Sequence, residues 1–183
     1  MKKRLFCLLL ALSMAAALTA CGGEGGTPSG QNTEGQDHPA QSTPGSQTAA
    51  NGYVFTVSKA GGYTVAVNDD MADVLAALGE PISYFEAASC AFEGMDKTYT
   101  YSGFVITTQP GEDGHDYVNF IRLTDDSVST PEGVYIGCSA DEVTAAYGEG
   151  SRSETVISYT KGKSAMNFIL EGDKVISIEY LPA

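Results

Sequence analysis

Histidine, cysteine and clustered acidic side chains are the groups that would carry chemistry in this sequence, and beyond residue 51 they are sparse. An enzyme site requires a nucleophile beside a base, two cooperating carboxylates, or a group of metal ligands. The single histidine of that region, His115, lies in the acidic segment Gly111–Asp116. Glu112 and Asp113 offer oxygen ligands there, but the segment lacks the alternating ligand spacing of a calcium loop. We therefore predict a solvent-exposed turn, with no catalytic residue, no metal site and no cofactor.

The N-terminus has the layout of an export signal, with basic residues at 2–4 followed by the apolar run Leu5–Leu18. The sequence Leu18-Thr19-Ala20-Cys21-Gly22 resembles the lipobox of bacterial lipoproteins. That resemblance implies that residues 1–20 are a signal peptide and that Cys21 carries a diacylglycerol thioether. Because two acyl chains give stable anchoring, we expect the protein on the extracytoplasmic face of the cell membrane. The alternative is an ordinary secretory signal, with Cys21 unmodified.

A polar segment separates Cys21 from the rest of the chain. Residues 22–51 are rich in Gly, Ser, Thr, Pro and Gln, and their only apolar side chains are Ala40, Ala49 and Ala50. Such a composition buries too little surface to offset the entropy of ordering. We predict that residues 21–51 form a lipidated, disordered tether with a reach of roughly 30 Å, followed by one domain at 52–183.

The charge balance excludes two classes of partner. The chain has a formal net charge of -13, and the leader contributes only basic residues, so the mature chain keeps 7 basic and 23 acidic residues. Phosphate backbones are bound through Lys and Arg, which argues against nucleic acid. The same deficit argues against electrostatic attachment to anionic lipid. An acidic field favours a basic protein partner.

Two cysteines remain once Cys7 and Cys21 are assigned to the leader and the lipid. An even pair in an exported protein indicates a disulfide, so we predict a bridge between Cys90 and Cys138. It would close a loop of about 50 residues and contribute about 3–4 kcal/mol. The alternative is two buried, unpaired thiols.

The predicted domain repeats itself weakly. Val65–Glu80 aligns with Val134–Glu149 at an offset of 69, and Asp116–Ile121 aligns with Asp173–Ile178 at an offset of 57. Each unit has a short extended entry, a capped helix that ends at a glycine, and then strands separated by turns. Repeats of this size are supersecondary units that bury their apolar faces against each other.

This pattern predicts an α+β fold: two tandem helix-plus-antiparallel-meander repeats that form a curved sheet with the helices on one face. Repeat one covers about 63–126 and repeat two about 132–183. The predicted strands follow the alternation of apolar and polar residues. They are Tyr53–Val57, Tyr84–Phe92, Lys97–Tyr101, Phe104–Thr108, Tyr117–Thr124, Thr155–Thr160, Ala165–Glu171 and Lys174–Leu181.

The second helix unit carries a family resemblance. Its residues Val134-Tyr135-Ile136-Gly137, Ser139, Glu142-Val143 and Tyr147-Gly148, with the meander that follows, resemble the repeat of the β-lactamase-inhibitor-protein-like fold. The SmpA/OmlA lipoproteins of the bacterial outer membrane share that fold. The resemblance covers about 65–183 and implies protein binding or envelope assembly without catalysis. Inhibition of a β-lactamase is not implied, since the match is confined to the helix unit.

Aromatic residues and arginine on an open sheet face are typical anchors for a protein partner. The candidate binding face consists of Tyr99, Tyr101, Phe120, Arg122 and Glu179. The alternative is that these rings pack against the end of the tether or against the strand Tyr53–Val57.

Taken together, these patterns predict a membrane-anchored lipoprotein whose domain is a non-catalytic protein-binding or envelope-assembly module. Two other hypotheses stay open: a lipoprotein that binds a small ligand or a cation, and a hydrolase of unrecognised type.

Overall fold

The computed structural model describes residues 52–183. The predictions for the signal peptide, Cys21 and the tether lie outside these described residues. The described chain contains two helices of eight residues, α1 (Met71–Leu78) and α2 (Ala140–Tyr147), and a short 3-10 turn at Ser58–Ala60. Its strands are β1 (Val54–Val57), β2 (Tyr63–Ala66), β3 (Ser83–Ala88), β4 (Met95–Tyr101), β5 (Phe104–Pro110), β6 (Asp116–Leu123), β7 (Ser151–Arg152), β8 (Val156–Lys161), β9 (Ser164–Glu171) and β10 (Lys174–Pro182).

The strands form one large antiparallel sheet and one small hairpin. The large sheet has eight strands in the order β3-β4-β5-β6-β10-β9-β8-β7, and β1 pairs with β2 outside it. The centre of the large sheet joins β6 to β10, with Leu123 opposite Ile178 and Ile121 opposite Tyr180. Helices packed on an antiparallel sheet make an α+β protein, as the sequence predicts.

Burial alternates along the strands, because successive side chains of a strand point to opposite faces. In β9, Met166, Phe168 and Leu170 are buried, whereas the residues between them are only half-buried. The same alternation occurs in β5 and in β8. The alternating apolar pattern in the sequence therefore marks the covered face of the sheet.

A single hydrophobic core lies between that face and the elements that cover it. Val74 of α1 and Val143 of α2 are completely buried in it. Phe55 of the β1–β2 hairpin joins the same core, with its ring 4.9 Å from that of Phe104 and 6.2 Å from that of Tyr180. Both helices and the hairpin thus bury their apolar sides against one face of the sheet.

Both helices begin and end at residues whose chemistry predicts those boundaries. The Ser139 hydroxyl accepts a hydrogen bond from the Glu142 N–H (3.3 Å), and the Glu142 carboxylate accepts one from the Ser139 N–H (2.7 Å). This reciprocal pair is the predicted capping box. The Asp70 carboxylate caps α1 by accepting from the Ala72 N–H at 2.9 Å. Both helices stop at a glycine with positive φ, Gly79 at 75° and Gly148 at 78°.

Two predicted segments differ from the structure. The first strand of the large sheet ends at Ala88 instead of Phe92, because the chain turns there and the Ser89 hydroxyl accepts from the N–H groups of Ala91 and Phe92. The extended entry expected at 134–136 is irregular, since the chain turns there and the Cys138 N–H donates to the Tyr135 carbonyl (3.1 Å).

The capping box generates a stability prediction. Ser139→Ala removes the hydroxyl that accepts the Glu142 N–H, and loss of an N-cap costs about 1 kcal/mol in the free energy of unfolding. Urea denaturation of the two proteins measures this difference. Ser151→Ala, at an exposed position of β7, is the matched control and should change stability by less than about 0.5 kcal/mol. Equal stabilities for the two variants would contradict the role of the cap.

Candidate functional site

The face of the large sheet that lies opposite the helices extends across all eight strands. Its side chains alternate with the buried ones, and none of them is itself buried. Its apolar members are Phe85, Val105, Phe120, Val156, Ile169 and Leu181, and its uncharged polar members include Thr98, Thr100, Thr107, Ser158, Asn167 and Ser177. We call this surface the open face.

An arginine and a glutamate occupy the centre of the open face. Arg122 of β6 stands directly opposite Glu179 of β10, and side chains at such paired positions have their Cβ atoms about 4.5–5.5 Å apart. Phe120 lies two residues along β6, opposite Thr107 of β5. The structure therefore brings Phe120, Arg122 and Glu179 together, as the sequence predicts.

Tyr99 and Tyr101 do not belong to this group, and the prediction that placed them there is wrong. They stand opposite Ile106 and Phe104, which point into the core. Tyr99 is only 6% exposed, and the Tyr101 ring stacks on Phe104 with 5.1 Å between centroids. Their side is set by the register of the β4–β5 hairpin, in which the two-residue turn Ser102-Gly103 places Tyr101 opposite Phe104. The alternation within β4 alone does not show which of its two faces is covered.

The role of Tyr101 is structural. Its hydroxyl donates to the Gly79 carbonyl at the end of α1 (3.1 Å), just as the Tyr159 hydroxyl donates to the Gly148 carbonyl at the end of α2 (2.7 Å). Each tyrosine satisfies a carbonyl that the helix leaves without an internal partner. These rings hold the helices to the sheet and are not free to contact a partner.

The predicted disulfide is absent from the structure, in which Cys90 is an exposed free thiol and Cys138 a buried one. Cys90 lies in the turn between β3 and β4, at the end of the sheet where β6 begins. Cys138 is fixed to the start of β10 through its carbonyl, which accepts from the Val175 N–H at 2.9 Å. Since β10 runs antiparallel to β6, the two cysteines lie at opposite ends of the sheet, far beyond the reach of a bridge.

The acidic turn at 111–116 is fixed to the beginning of α1. The Nδ1 atom of His115 lies 2.5 Å from the Asp70 carboxylate, whose other oxygen caps the helix. The Asp113 carboxylate accepts from the His115 N–H (3.1 Å) and from the Tyr117 hydroxyl (2.5 Å). The contact with Asp70 is not predictable from local sequence, because 45 positions separate the two partners.

Charge and hydrogen bonding shift the pKa values of both His115 and Asp70. The hydrogen bond to Asp70, with the charge of that carboxylate, raises the pKa of His115 above its ordinary 6.5. The hydrogen bond from the Ala72 N–H is the largest cause that lowers the pKa of Asp70 below its ordinary 3.8, and the hydrogen bond with His115 is the second. Among the residues that the structure describes, no group of three or more His, Cys, Asp or Glu side chains is placed to hold a metal ion.

A small groove opens beside the end of α1. Its volume is about 220 Å³, and it is lined by Val57, Lys59, Ala60, Ala77, Leu78, Tyr101, Ser102 and Phe104. Pockets that take drug-sized ligands measure about 300–1,000 Å³. The groove is therefore smaller than a typical ligand site, and the open face is the better candidate for function.

Comparison with known proteins adds one distant structural likeness. No protein-family model matches the sequence, and no curated protein matches it either. The chain is similar to the crystal structure of a DUF4309 family protein (YjgB) from Bacillus subtilis. The two share 16% sequence identity and a TM-score of 0.39, over 63% of this chain and 79% of that one.

Neither helix of residues 52–183 has the length and apolar content to cross a membrane.

The contact between His115 and Asp70 generates a pH prediction. With a raised histidine pKa, the stability from this pair is present below pH 6.5 and is lost as the pH rises through the raised value. Because the pKa of Asp70 is lowered, the stability from this pair is also lost as the pH falls through that lowered pKa. NMR titration should place the pKa of His115 above 6.5, and Asp70→Asn should move it back toward 6.5. Asp141→Asn on α2 is the control and should leave it unchanged. The same His115 pKa in all three proteins would contradict the contact.

Proposed function

We propose that this protein is a lipid-anchored, extracytoplasmic lipoprotein whose domain binds another protein without catalysing a reaction. The observation that carries the proposal is the open face, which is wide, largely uncharged and centred on Phe120, Arg122 and Glu179. Solvent-facing sheets are usually strongly polar. The cores of protein interfaces instead have few charges and are enriched in aromatic residues and arginine.

The membrane anchor in this proposal rests on the sequence. The lipobox-like residues 18–22 favour a lipidated Cys21, and the polar segment after it supplies a tether long enough to hold the domain away from the bilayer. The same placement favours partners at the cell surface or in the envelope. The excess of acidic over basic residues favours a basic one.

We further propose that the domain consists of two tandem repeats related by an approximate two-fold axis between β6 and β10. Matching hydrogen bonds support it: the Val118 N–H donates to the Asp69 carbonyl (2.9 Å), and the Val175 N–H donates to the Cys138 carbonyl (2.9 Å). At the offset of 57, Arg122 corresponds to Glu179, and these two residues face each other across the centre of the sheet. Such an arrangement gives the open face two equivalent halves, one on each side of the Arg122–Glu179 pair.

Binding of a small ligand is the weaker alternative, because the groove beside α1 holds only about 220 Å³. A sheet face that crosses eight strands offers far more area than that groove. Stable protein interfaces bury about 800 Å² on each partner, and a surface of this extent is suited to such a contact.

Photocrosslinking in living cells tests the proposal. A photoreactive phenylalanine analogue at position 120 should give a discrete crosslinked product, whereas the same analogue at Tyr135 should not. Tyr135 is 43% exposed and lies outside the large sheet, in the loop before α2. Arg122→Ala in the position-120 protein should lower the yield about fivefold or more, since truncation of an interface arginine often costs over about 1 kcal/mol. Cys21→Ala should move the protein out of the membrane fraction.

Two results would contradict the proposal. One is equal crosslinking from positions 120 and 135, which would mean that the open face has no special role. The other is the absence of any specific product from position 120 while the protein remains folded and membrane-bound.

A further inference from the structure

Strand β3 forms one edge of the large sheet and is exposed along its whole length. All six of its residues are exposed, whereas every longer strand of the described chain contains at least one buried residue. Only β4 pairs with it. On the outer side of an edge strand, the N–H and C=O groups of alternate residues point away from the sheet without a strand partner.

This edge also lacks several of the features that usually prevent strand addition, although it carries one charged side chain. Natural edges are blunted by shortness, by proline or by lysine. The opposite edge of the same sheet, β7, has only two residues and ends in Arg152. By contrast, β3 contains neither proline nor lysine. Its one charged side chain, Glu86, accepts a hydrogen bond from the Tyr84 hydroxyl.

Exposed apolar side chains are concentrated around β3. Seven large hydrophobic residues are exposed in the described chain, and five of them lie between positions 82 and 95. Ile82 is 74% exposed, Phe85 65% and Tyr84 48%. Phe92 follows in the turn to β4, and Met95 is the first residue of β4. Exposed apolar clusters of this kind mark sites of protein interaction.

The charge around β3 selects between possible occupants. Glu80, Glu86, Glu93 and Asp96 lie on or beside the strand, and the nearby Lys97 is engaged by Asp116 at 2.6 Å. A second copy of this chain would bring the same acidic residues against them, with like charges repelling. A segment that carries lysine or arginine would instead meet an opposite field.

We propose that β3 binds an extended, basic segment of a partner protein, which adds to the sheet as a further strand. This inference rests on the proposed protein-binding function and names the binding mode and the chemistry of the partner. Main-chain hydrogen bonds along β3 supply affinity, and alternate side chains supply specificity. Tyr84 and Glu86 lie on one side of the strand, and Phe85 lies on the other, at the edge of the open face to which it belongs.

A synthetic peptide of eight alternating lysine and valine residues is the probe. Its lysines can all lie on the side of Glu86 while its valines lie on the side of Phe85. Binding to the full-length protein is measured by fluorescence anisotropy, and amide hydrogen exchange is followed in residues 83–88. We expect binding, with exchange at the outer β3 amides slowed at least about tenfold. A twin peptide with glutamate in place of lysine should bind at least about tenfold more weakly.

Variants of the protein locate the site. Phe85→Lys places a positive charge on the edge and should abolish binding of the lysine–valine peptide, while its thermal unfolding stays unchanged because the side chain is already exposed. Tyr135→Lys is the matched control, since it makes the same kind of substitution at an exposed aromatic residue away from β3. Arg122→Glu on the open face should leave peptide binding intact.

Several outcomes would overturn the inference. These are no binding of the basic peptide, binding without protection of β3, or binding that survives Phe85→Lys. A concentration-dependent dimer that Phe85→Lys dissociates would assign the edge to a second copy of the chain instead. If any of these occurs while position 120 still crosslinks in cells, strand addition is wrong and the proposed function stands. If the peptide binds β3 but position 120 gives no product, the proposal that a partner binds the open face is wrong, and strand addition at β3 stands.

Discussion

Burial of a single face of the eight-stranded sheet is the constraint on which the rest of the structure depends. The helices contribute Val74 and Val143 to that face, and the β1–β2 hairpin contributes Phe55. Each large apolar side chain that is fully buried stabilises the fold by roughly 1.5–3 kcal/mol. Because all of these covering elements lie on one side, the opposite face has to tolerate water or a partner. The functional proposal follows from this asymmetry.

The pairing of β6 with β10 joins the buried faces of the two halves of the chain into one. Strands β6 and β10 are neighbours although residues 124–173 lie between them in sequence. Ile121 and Leu123 are completely buried beside Tyr180 and Ile178, so the core runs without a break from one half to the other. The same pairing sets Arg122 and Glu179 side by side on the open face. The core and the candidate site thus lie on opposite faces of the same two strands, β6 and β10.

The sequence predicts most clearly what is local. The capping box of Ser139 and Glu142 and the glycine stop of each helix depend on contacts within one turn of chain, and the structure confirms them. Features that depend on how the strands pair are predicted only in part, since Phe120 and Arg122 lie on the open face as expected whereas Tyr99 does not. Tyr99 faces the core because of its pairing with β5, and the two cysteines are apart because β10 runs against β6. The contact of His115 with Asp70 is missed for the same reason, since it joins a hairpin turn to a distant helix.

The most direct test of the one-sided sheet compares two neighbouring residues of β6. Phe120→Cys and Ile121→Cys are made in a full-length protein in which Cys7, Cys21 and Cys90 are replaced by serine, and the rate of reaction with a maleimide is measured in the folded state. Phe120 is only half-buried and points to the open face, whereas Ile121 is completely buried in the core. We predict that the cysteine at position 120 reacts at least about tenfold faster, with the difference lost in denaturant. Equal rates in the folded protein, or faster reaction at position 121, would contradict the account.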